Sequence, residues 1–159
     1  MFGVLLYNFN NVCAYSNGNN KYISNELNYY NKNCTGLKWQ CVEYARRYLQ
    51  TVYEITFSDV DSAYQIPSAV FTRLKDNTPV TTTIYTDKCL PTQIESINNC
   101  LIVWAKDYEY DTPHGHVAVI VDVNTHGINV AEQNYNNNNY YRYISWDNIK
   151  NVSIISLLQ

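Results

Sequence analysis

The feature that most constrains the fold is a helical pattern beginning near Cys41, followed 75 residues later by an apolar run that begins at His116. Apolar residues recur with helical spacing over Gln40–Tyr53, which predicts a helix there. The run His116–Val123 has the β-branched composition of a strand. A cysteine at a helix N-terminus and a histidine on a strand are the parts from which several folds build a thiolate nucleophile.

The rest of the chain predicts an α+β fold, with helices first and an antiparallel sheet after them. We expect a second helix over Asp59–Ile66, closed by Pro67, and a short turn over Gln93–Asn98. The turn at Asn124–Gly127 predicts a hairpin between the strand that begins at His116 and the next one. The further strands are expected at Leu101–Ala105, Ile128–Gln133, Tyr140–Ile144 and Val152–Leu158.

Three segments have less regular patterns. Residues 1–16 predict a short strand and turn, whereas 17–35 are rich in Asn and Tyr and predict a loop with at most a short helix. Residues 67–95 are mixed in character and contain three of the four prolines of the chain, Pro67, Pro79 and Pro91. We find no internal repeat and no linker, so one domain is expected over 1–159.

Composition and charge exclude several classes of protein. A net charge of −3 disfavours a nucleic-acid partner, which requires a basic face for the phosphates. No apolar run approaches the roughly twenty residues that cross a bilayer, and Met1–Leu6 lacks the features of a signal peptide. We therefore expect a cytoplasmic protein with neither membrane nor nucleic-acid partner. The abundance of Asn and Tyr is typical of an AT-rich genome, microbial or viral, and a viral source would allow virion association.

The five cysteines do not form a metal-binding pattern. None of them is part of a Cys-x-x-Cys pair, so we expect no zinc site and no metal. An odd number of cysteines suits a reducing compartment with free thiols. At a helix N-terminus, the backbone dipoles favour the thiolate form of Cys41, and a neighbouring imidazolium favours it further.

His116 and Glu132 are candidates for the groups that would activate this thiol. His116 is the first residue of its strand, where it can meet a helix N-terminus; His114 has the same parity and is the rival candidate. Antiparallel pairing across the turn brings Glu132 within reach of His116, where a carboxylate would hold the imidazole tautomer. Gln133 and Asn134 are alternatives for this role. The backbone N–H of Cys41 is a candidate oxyanion donor, and the side chain of Gln40 is a possible second one.

Several segments together resemble the amidase domain of the bifunctional glutathionylspermidine synthetase/amidases. That domain belongs to the CHAP group, the cysteine, histidine-dependent amidohydrolases/peptidases, and the resemblance implies a papain-like α+β scaffold. The motif KWQCVEYARR has Tyr44 where the family commonly has Phe. The segments that carry the resemblance are Lys38–Arg47, Phe57–Val60, Gly115–Ile120, Ala131–Asn134, Gly3–Leu5 and Ala14–Ser16.

Position by position, the resemblance implies that Cys41 is the nucleophile, His116 the base and acid, and Glu132 the group that orients it. It also implies that Arg46 contacts the glutathione part of the substrate. Gln40, Asn134, Asp107 and Glu109 are further candidates for substrate contact. The bifunctional enzymes carry a large synthetase domain for which this chain has no room. We therefore expect hydrolysis alone, without ATP, magnesium or another cofactor.

The implied reaction is cleavage of glutathionylspermidine to glutathione and spermidine through an acyl-thioester. The acidic stretch Asp107–Asp111, with Glu109 at its centre, leads to the histidine and could attract the polyamine cation. One alternative is cleavage of peptidoglycan peptides, as in other CHAP members including phage lysins. Another is a non-catalytic binding module that has kept its pocket.

Overall fold

The computed structural model describes residues 1–91, 94–107, 109, 112–136 and 139–157. One α-helix, α1 (Cys41–Tyr53), and twelve strands occur within these ranges. They form an α+β fold with antiparallel pairing, which confirms the predicted fold class. The strands are β1 (Leu5–Phe9), β2 (Val12–Tyr15), β3 (Leu27–Tyr30), β4 (Asn33–Leu37), β5 (Ile55–Phe57), β6 (Phe71–Arg73), β7 (Thr82–Thr86), β8 (Leu101–Trp104), β9 (His116–Val123), β10 (Gly127–Tyr135), β11 (Asn139–Ser145) and β12 (Val152–Leu157).

The main sheet has the order β11-β10-β9-β8-β12-β7, so β9 is an inner strand with neighbours on both sides. Val117, Val119 and Val121 face the core that α1 also contributes to, whereas Ala118 and Ile120 belong to a second core on the opposite face. Burial on both faces explains why β9 has a continuous apolar sequence rather than an alternating one. The hairpin between β9 and β10 turns at 124–126, as the sequence predicts.

Helix α1 is held mainly by burial. Tyr44, Tyr48 and Leu49 are almost fully removed from solvent, and each such side chain contributes roughly 1.5–3 kcal/mol by the hydrophobic effect. The helix ends at Tyr53 and is capped by Glu54. Glu54 has a left-handed backbone (φ 54°), and its N–H donates to the carbonyl of Leu49. Packing of α1 against β9 and β10 fixes its N-terminus relative to the start of β9.

The second predicted helix is wrong in type and extent. Instead of an α-helix over Asp59–Ile66, the chain forms a 3₁₀ helix over Ala63–Ser68, with Pro67 inside it. The amide oxygen of Gln65 accepts hydrogen bonds from the backbone N–H groups of Asp61 and Ser62, which delays the start of the helix to Ala63. The antiparallel sheet is therefore accompanied by a single α-helix in the described ranges.

The segment 17–35 is also more ordered than its composition suggests. In place of a loop, β3 and β4 form a hairpin whose two turn residues, Asn31 and Lys32, both have positive φ (46° and 69°). This is the backbone of the tight turns that match strand twist. Further 3₁₀ helices cover Ile94–Ile97 and Trp146–Asn148.

Other predicted bounds differ from the observed ones by one or two residues, and Gln93 and Leu158 lie outside the described residues. The mixed segment 67–95 contributes β6 and the edge strand β7. Across the described residues, no helix combines the length and apolar character that a membrane span requires.

Candidate active site

Cys41 is the first residue of α1 and a free, half-buried thiol. It is hydrogen-bonded to the imidazole of His116 and to the backbone of Val42 and Val117. The sulfur therefore lies between the N-terminus of α1 and the start of β9. This is the proximity of Cys41 and His116 that the sequence predicts.

His116 is buried, with 5% of its surface exposed, and its Nε2 lies 2.7 Å from Oε2 of Glu132. Because Nε2 is occupied in this way, Nδ1 is the ring nitrogen left for the sulfur of Cys41. The hairpin register explains the contact: Ala131 pairs with Val119, so Glu132 lies diagonally across from His116 on the same face. Gly115 (φ +66°) precedes the histidine, and a Cβ there would collide with the carbonyl oxygen of Trp104, so the two backbone segments can approach this closely only with glycine at this position.

The three groups stabilise each other's charges. Burial raises the pKa of the Cys41 thiol, but the hydrogen bond and charge of His116, with the two backbone contacts, outweigh burial and lower it overall. Burial lowers the pKa of His116, but Cys41 and Glu132 raise it to about 9. Burial likewise raises the pKa of Glu132, and His116 and Arg142 together bring it below its usual range. All three shifts favour the charged forms of the site, a thiolate, an imidazolium and a carboxylate.

A second hydrogen-bond network fixes the N-terminus of α1. The Gln40 side chain donates to the carbonyl of Tyr22 (3.1 Å) and accepts from the Asn134 amide (3.0 Å). Gln133 donates to the carbonyl of Gln40 (3.0 Å) and accepts from the N–H of Tyr15 (2.9 Å). Glu132, rather than either alternative, lies against the imidazole, because Gln133 and Asn134 are both directed toward Gln40.

Residues 29–134, more than half of the chain, match the model described as the CHAP domain. The chain belongs to the CHAP domain family. The match contains Cys41, His116 and Glu132, so the whole hydrogen-bonded set lies within this CHAP domain.

Two named proteins are similar to this chain in sequence. The chain is 36% identical over 107 residues to the bifunctional glutathionylspermidine synthetase/amidase of Escherichia coli (strain K12), and 32% identical over 101 residues to the glutathionylspermidine synthase of Crithidia fasciculata. Each alignment covers 62% of this chain but only 16% and 14% of the respective relative. The chain therefore spans only a small part of the length of these proteins.

Solved structures show the same fold at lower identity. An N-acetylmuramoyl-L-alanine amidase from Staphylococcus aureus matches with a TM-score of 0.54 and 19% identity, over 80% of this chain and 33% of that one. The structure of Ly7917 matches with a TM-score of 0.52 and 18% identity, over 76% and 54% respectively. These matches show that the chain has the same fold as the two solved structures.

The resemblance implies that Arg46 contacts the substrate, but in this structure its guanidinium is bound to other groups of the protein. Its side chain is buried and donates to the carbonyl oxygens of Thr35 (3.0 Å), Ser58 (3.2 Å) and Phe57 (3.3 Å). The guanidinium also lies over the Phe57 ring and 3.6 Å from Asp59. These contacts give Arg46 a structural role in joining α1 to its neighbouring segments, and its contact with substrate stays a prediction. The same holds for the oxyanion role of Gln40, whose amide is engaged as described above.

The acidic stretch lies on the loop that leads into β9. Asp107 pairs with Thr112 through the backbone, and its carboxylate accepts from the N–H of Glu109, whose side chain is exposed. Asp111 lies outside the described residues. His114, the rival histidine, is exposed and hydrogen-bonded to Ser62 (2.9 Å), not part of the contact with Cys41 described above. Within the described ranges, no group of three or more His, Cys, Asp or Glu side chains is arranged to hold a metal.

Arg142 is the residue of this site that the sequence prediction omitted. It lies on β11 and forms two contacts with Glu132, Nε to Oε1 at 2.6 Å and a terminal nitrogen to Oε2 at 3.2 Å. A signal was available: Arg142 is the one cation of a Tyr-rich strand. Pairing that strand with the end of the predicted hairpin would have brought Arg142 close to Glu132, since it pairs with Val130.

Proposed function

We propose that this CHAP domain is a cysteine amidase that cleaves glutathionylspermidine, with Cys41 as nucleophile, His116 as acid and base, and Glu132 as the group that orients His116. The observation that carries the proposal is the hydrogen-bonded series Cys41–His116–Glu132 at the N-terminus of a buried helix. The choice of substrate rests on the 36% identity to a named glutathionylspermidine synthetase/amidase.

In the first half of the reaction, the thiolate of Cys41 attacks the amide carbonyl carbon. The carbonyl oxygen takes the negative charge, and the backbone N–H of Cys41 would donate a hydrogen bond to it. As the C–N bond breaks, the imidazolium of His116 gives its proton to the leaving amine. Spermidine departs and the glutathionyl group remains on sulfur as a thioester.

In the second half, the neutral imidazole accepts a proton from water, which attacks the thioester carbonyl. The C–S bond breaks, the glutathione carboxyl group loses its remaining proton to solvent as it leaves, and the thiolate–imidazolium pair is restored. Glu132 stabilises the imidazolium in both halves without taking up its proton. No metal or nucleotide enters this sequence of steps.

Recognition of the leaving group is assigned to the loop before β9. Asp107 and Glu109 place negative charge next to the segment that carries His116, where a polyamine chain leaving the acyl carbon would pass. Attraction of this kind acts over about 10 Å at moderate ionic strength and weakens as salt is added. The acidic loop therefore supports a cationic leaving group over a neutral one.

The test is to incubate the chain, Cys41→Ala and the matched control Cys89→Ala with glutathionylspermidine and, separately, with a peptidoglycan stem peptide. Cys89 is an exposed thiol outside the site, so its variant should retain activity. We expect mass spectrometry to find spermidine and glutathione with the chain and with Cys89→Ala, a glutathionyl adduct on Cys41 after rapid quenching, and no product with Cys41→Ala.

Two results would contradict the proposal at different levels. Cleavage of the stem peptide alone would retain the amidase and replace its substrate. Failure of both substrates, together with alkylation of Cys41 no faster than that of the exposed Cys34 and Cys89, would indicate a non-catalytic module.

A further inference from the structure

We propose that Arg142 is a positioning residue of this site, which holds Glu132 against His116 by a two-pronged contact and keeps the carboxylate charged. The inference rests on the proposed function for its catalytic consequence. Its geometric basis, a guanidinium bound to the carboxylate that binds the imidazole, is independent of the substrate.

The contact of Arg142 with Glu132 fixes both carboxylate oxygens. Nε lies 2.6 Å from Oε1, and a terminal guanidinium nitrogen lies 3.2 Å from Oε2, the oxygen that also contacts His116. Glu132 has no exposed surface. A carboxylate in such surroundings is costly to ionise unless it is paired, and a fork of two N–H groups supplies charge and orientation together.

The guanidinium is itself held in place by two aromatic rings. Its central carbon lies 4.0 Å from the Tyr135 ring centroid and 5.1 Å from that of Trp104. The same two rings flank the imidazole, at centroid distances of 4.8 Å and 5.6 Å from His116. One aromatic pair therefore positions both cations that bind Glu132, so displacing Arg142 would disturb the carboxylate and the packing beside His116.

The charged groups around Glu132 come from two strands of the sheet. His116 on β9 and Arg142 on β11 contact the carboxylate directly, and the Cys41 thiolate lies beyond the imidazole. His116 and Arg142 both lower the pKa of Glu132, which burial alone would raise. His116 is committed to the chemistry and changes charge during turnover, whereas Arg142 keeps its charge. The part of the stabilisation of the Glu132 carboxylate that stays constant during turnover therefore comes from Arg142. The side chain of Arg142 is 23% exposed.

The test is a double-mutant cycle of Arg142→Gln and Glu132→Gln, with Arg142→Lys as the conservative variant. Arg73→Gln, on β6 in a separate two-stranded sheet, removes the same charge elsewhere. We expect Arg142→Gln to lower kcat for glutathionylspermidine by about 10- to 100-fold, the loss that small misplacements of catalytic groups produce, with KM changed little. Arg142→Lys should recover part of this loss. In the Glu132→Gln background, Arg142→Gln should cause no further loss, because the two residues act as a unit.

A second readout follows the carboxylate directly. In carbon-13 NMR of the Glu132 side chain, assigned by its absence in Glu132→Gln, the titration midpoint should move to higher pH in Arg142→Gln and less in Arg142→Lys. Unfolding is monitored by circular dichroism, and kcat is referred to the folded fraction. If Arg142→Gln does not fold, Arg142→Lys decides: a kcat and a midpoint equal to those of the parent chain overturn the inference.

The outcomes separate this inference from the proposed function. Rapid Cys41 alkylation and amide cleavage, with Arg142→Gln matching Arg73→Gln in kcat, would overturn only the role of Arg142. A loss that is fully additive with that of Glu132→Gln would do the same. Slow Cys41 alkylation and no cleavage would overturn the proposed function, and the Glu132 midpoint would still decide whether Arg142 holds the carboxylate charged.

Discussion

Glu43 in the first turn of α1 and Glu132 on β10 have no exposed surface, and each is paired with an arginine. Burial raises the pKa of both. For Glu43, the partners Arg47 and Asn28 offset burial only in part, so the pKa stays above its usual value. In the case of Glu132, the effects of His116 and Arg142 outweigh that of burial, so the pKa falls below its usual value. Burial therefore does not decide the charge of a glutamate in this protein; the number and geometry of its cationic partners do.

The geometry of the two arginines differs in a way that explains this outcome. Arg47 uses a single nitrogen, Nε, at 3.0 Å from both oxygens of Glu43, and donates another to the carbonyl of Cys13. In the described part of the chain, its remaining terminal nitrogen is buried without a hydrogen-bond partner. Arg142 gives two nitrogens to Glu132, and His116 adds a third contact. Glu43 thus belongs to the scaffold that joins α1 to β2, whereas Glu132 belongs to the site.

The largest expected effect separates the two glutamates by activity. Glu132→Gln removes the charge that stabilises the imidazolium, so kcat/KM should fall by about 100-fold or more, the usual loss when acid–base catalysis is impaired. Glu43→Gln should leave kcat/KM of the folded fraction within about threefold of the parent chain, because that carboxylate contacts neither Cys41 nor His116 in the described structure. Hydrolysis of glutathionylspermidine measures both. Equal losses would mean that α1 transmits the state of Glu43 to the thiol.

The pH dependence of activity sharpens the same contrast. The pKa of His116 is raised to about 9, so the imidazolium that protonates the leaving amine is present below that value and lost as pH rises through it. In Glu132→Gln the basic limb of kcat/KM should move to lower pH, since one of the groups that raise the pKa of His116 is gone. In Glu43→Gln it should stay near that of the parent chain.

The acid limb belongs to the coupled thiol–imidazole pair, and its midpoint should lie below the ordinary pKa of a cysteine. A basic limb that is the same in Glu132→Gln and in the parent chain would show that the carboxylate only orients the ring.

The sequence was sufficient to bring residues 132–134 near His116, because the turn after Val123 joins the two strands locally, but it did not select among those residues. A register shift between Asn129 and Val130 sets Ala131 opposite Val119, and this shift places Glu132 on the face of His116. The helix that carries Cys41 could also be predicted, because its apolar residues recur with helical spacing in the sequence. These are patterns of period two or 3.6, which survive without knowledge of the rest of the fold.

What the sequence did not reveal depends on contacts between distant segments. Arg142 follows Glu132 across the Asn-rich run 136–139, and four identical residues give no sign of where the turn lies, so the sequence alone does not fix the register of β11. The hairpin of β3 and β4 was hidden by its polar composition, and its turn residues, Asn31 and Lys32, lack the glycine that usually marks such a turn. Arg46 was predicted to contact the substrate because it lies in a motif that matches the family. The motif gives no sign that backbone carbonyl oxygens from other segments surround the guanidinium.

The smallest expected effect concerns stability, and it has opposite signs at the two glutamates. The pKa of Glu132 is lowered on folding, so its stabilisation is present above the unfolded value of 4.5 and is lost as pH falls through the folded one. The pKa of Glu43 is raised, so its stabilisation is present below 4.5 and is lost as pH rises through the folded value. Between about pH 4 and 6 the contribution of His116 is constant, because the imidazole is protonated in both states.

Over this window, the free energy of unfolding of the parent chain minus that of Glu132→Gln should increase with pH, whereas the same difference for Glu43→Gln should decrease. Urea unfolding at three pH values measures both, with Gln chosen because it preserves shape and removes only the titration. The Glu43 pair would still be costly to break at every pH, since Arg47 would remain buried without its carboxylate, so the sign of the slope is the decisive quantity and not the size of the loss. Slopes of the same sign would mean that both carboxylates are held charged by their arginines, and the distinction between a one-nitrogen and a two-nitrogen contact would lose its physical basis.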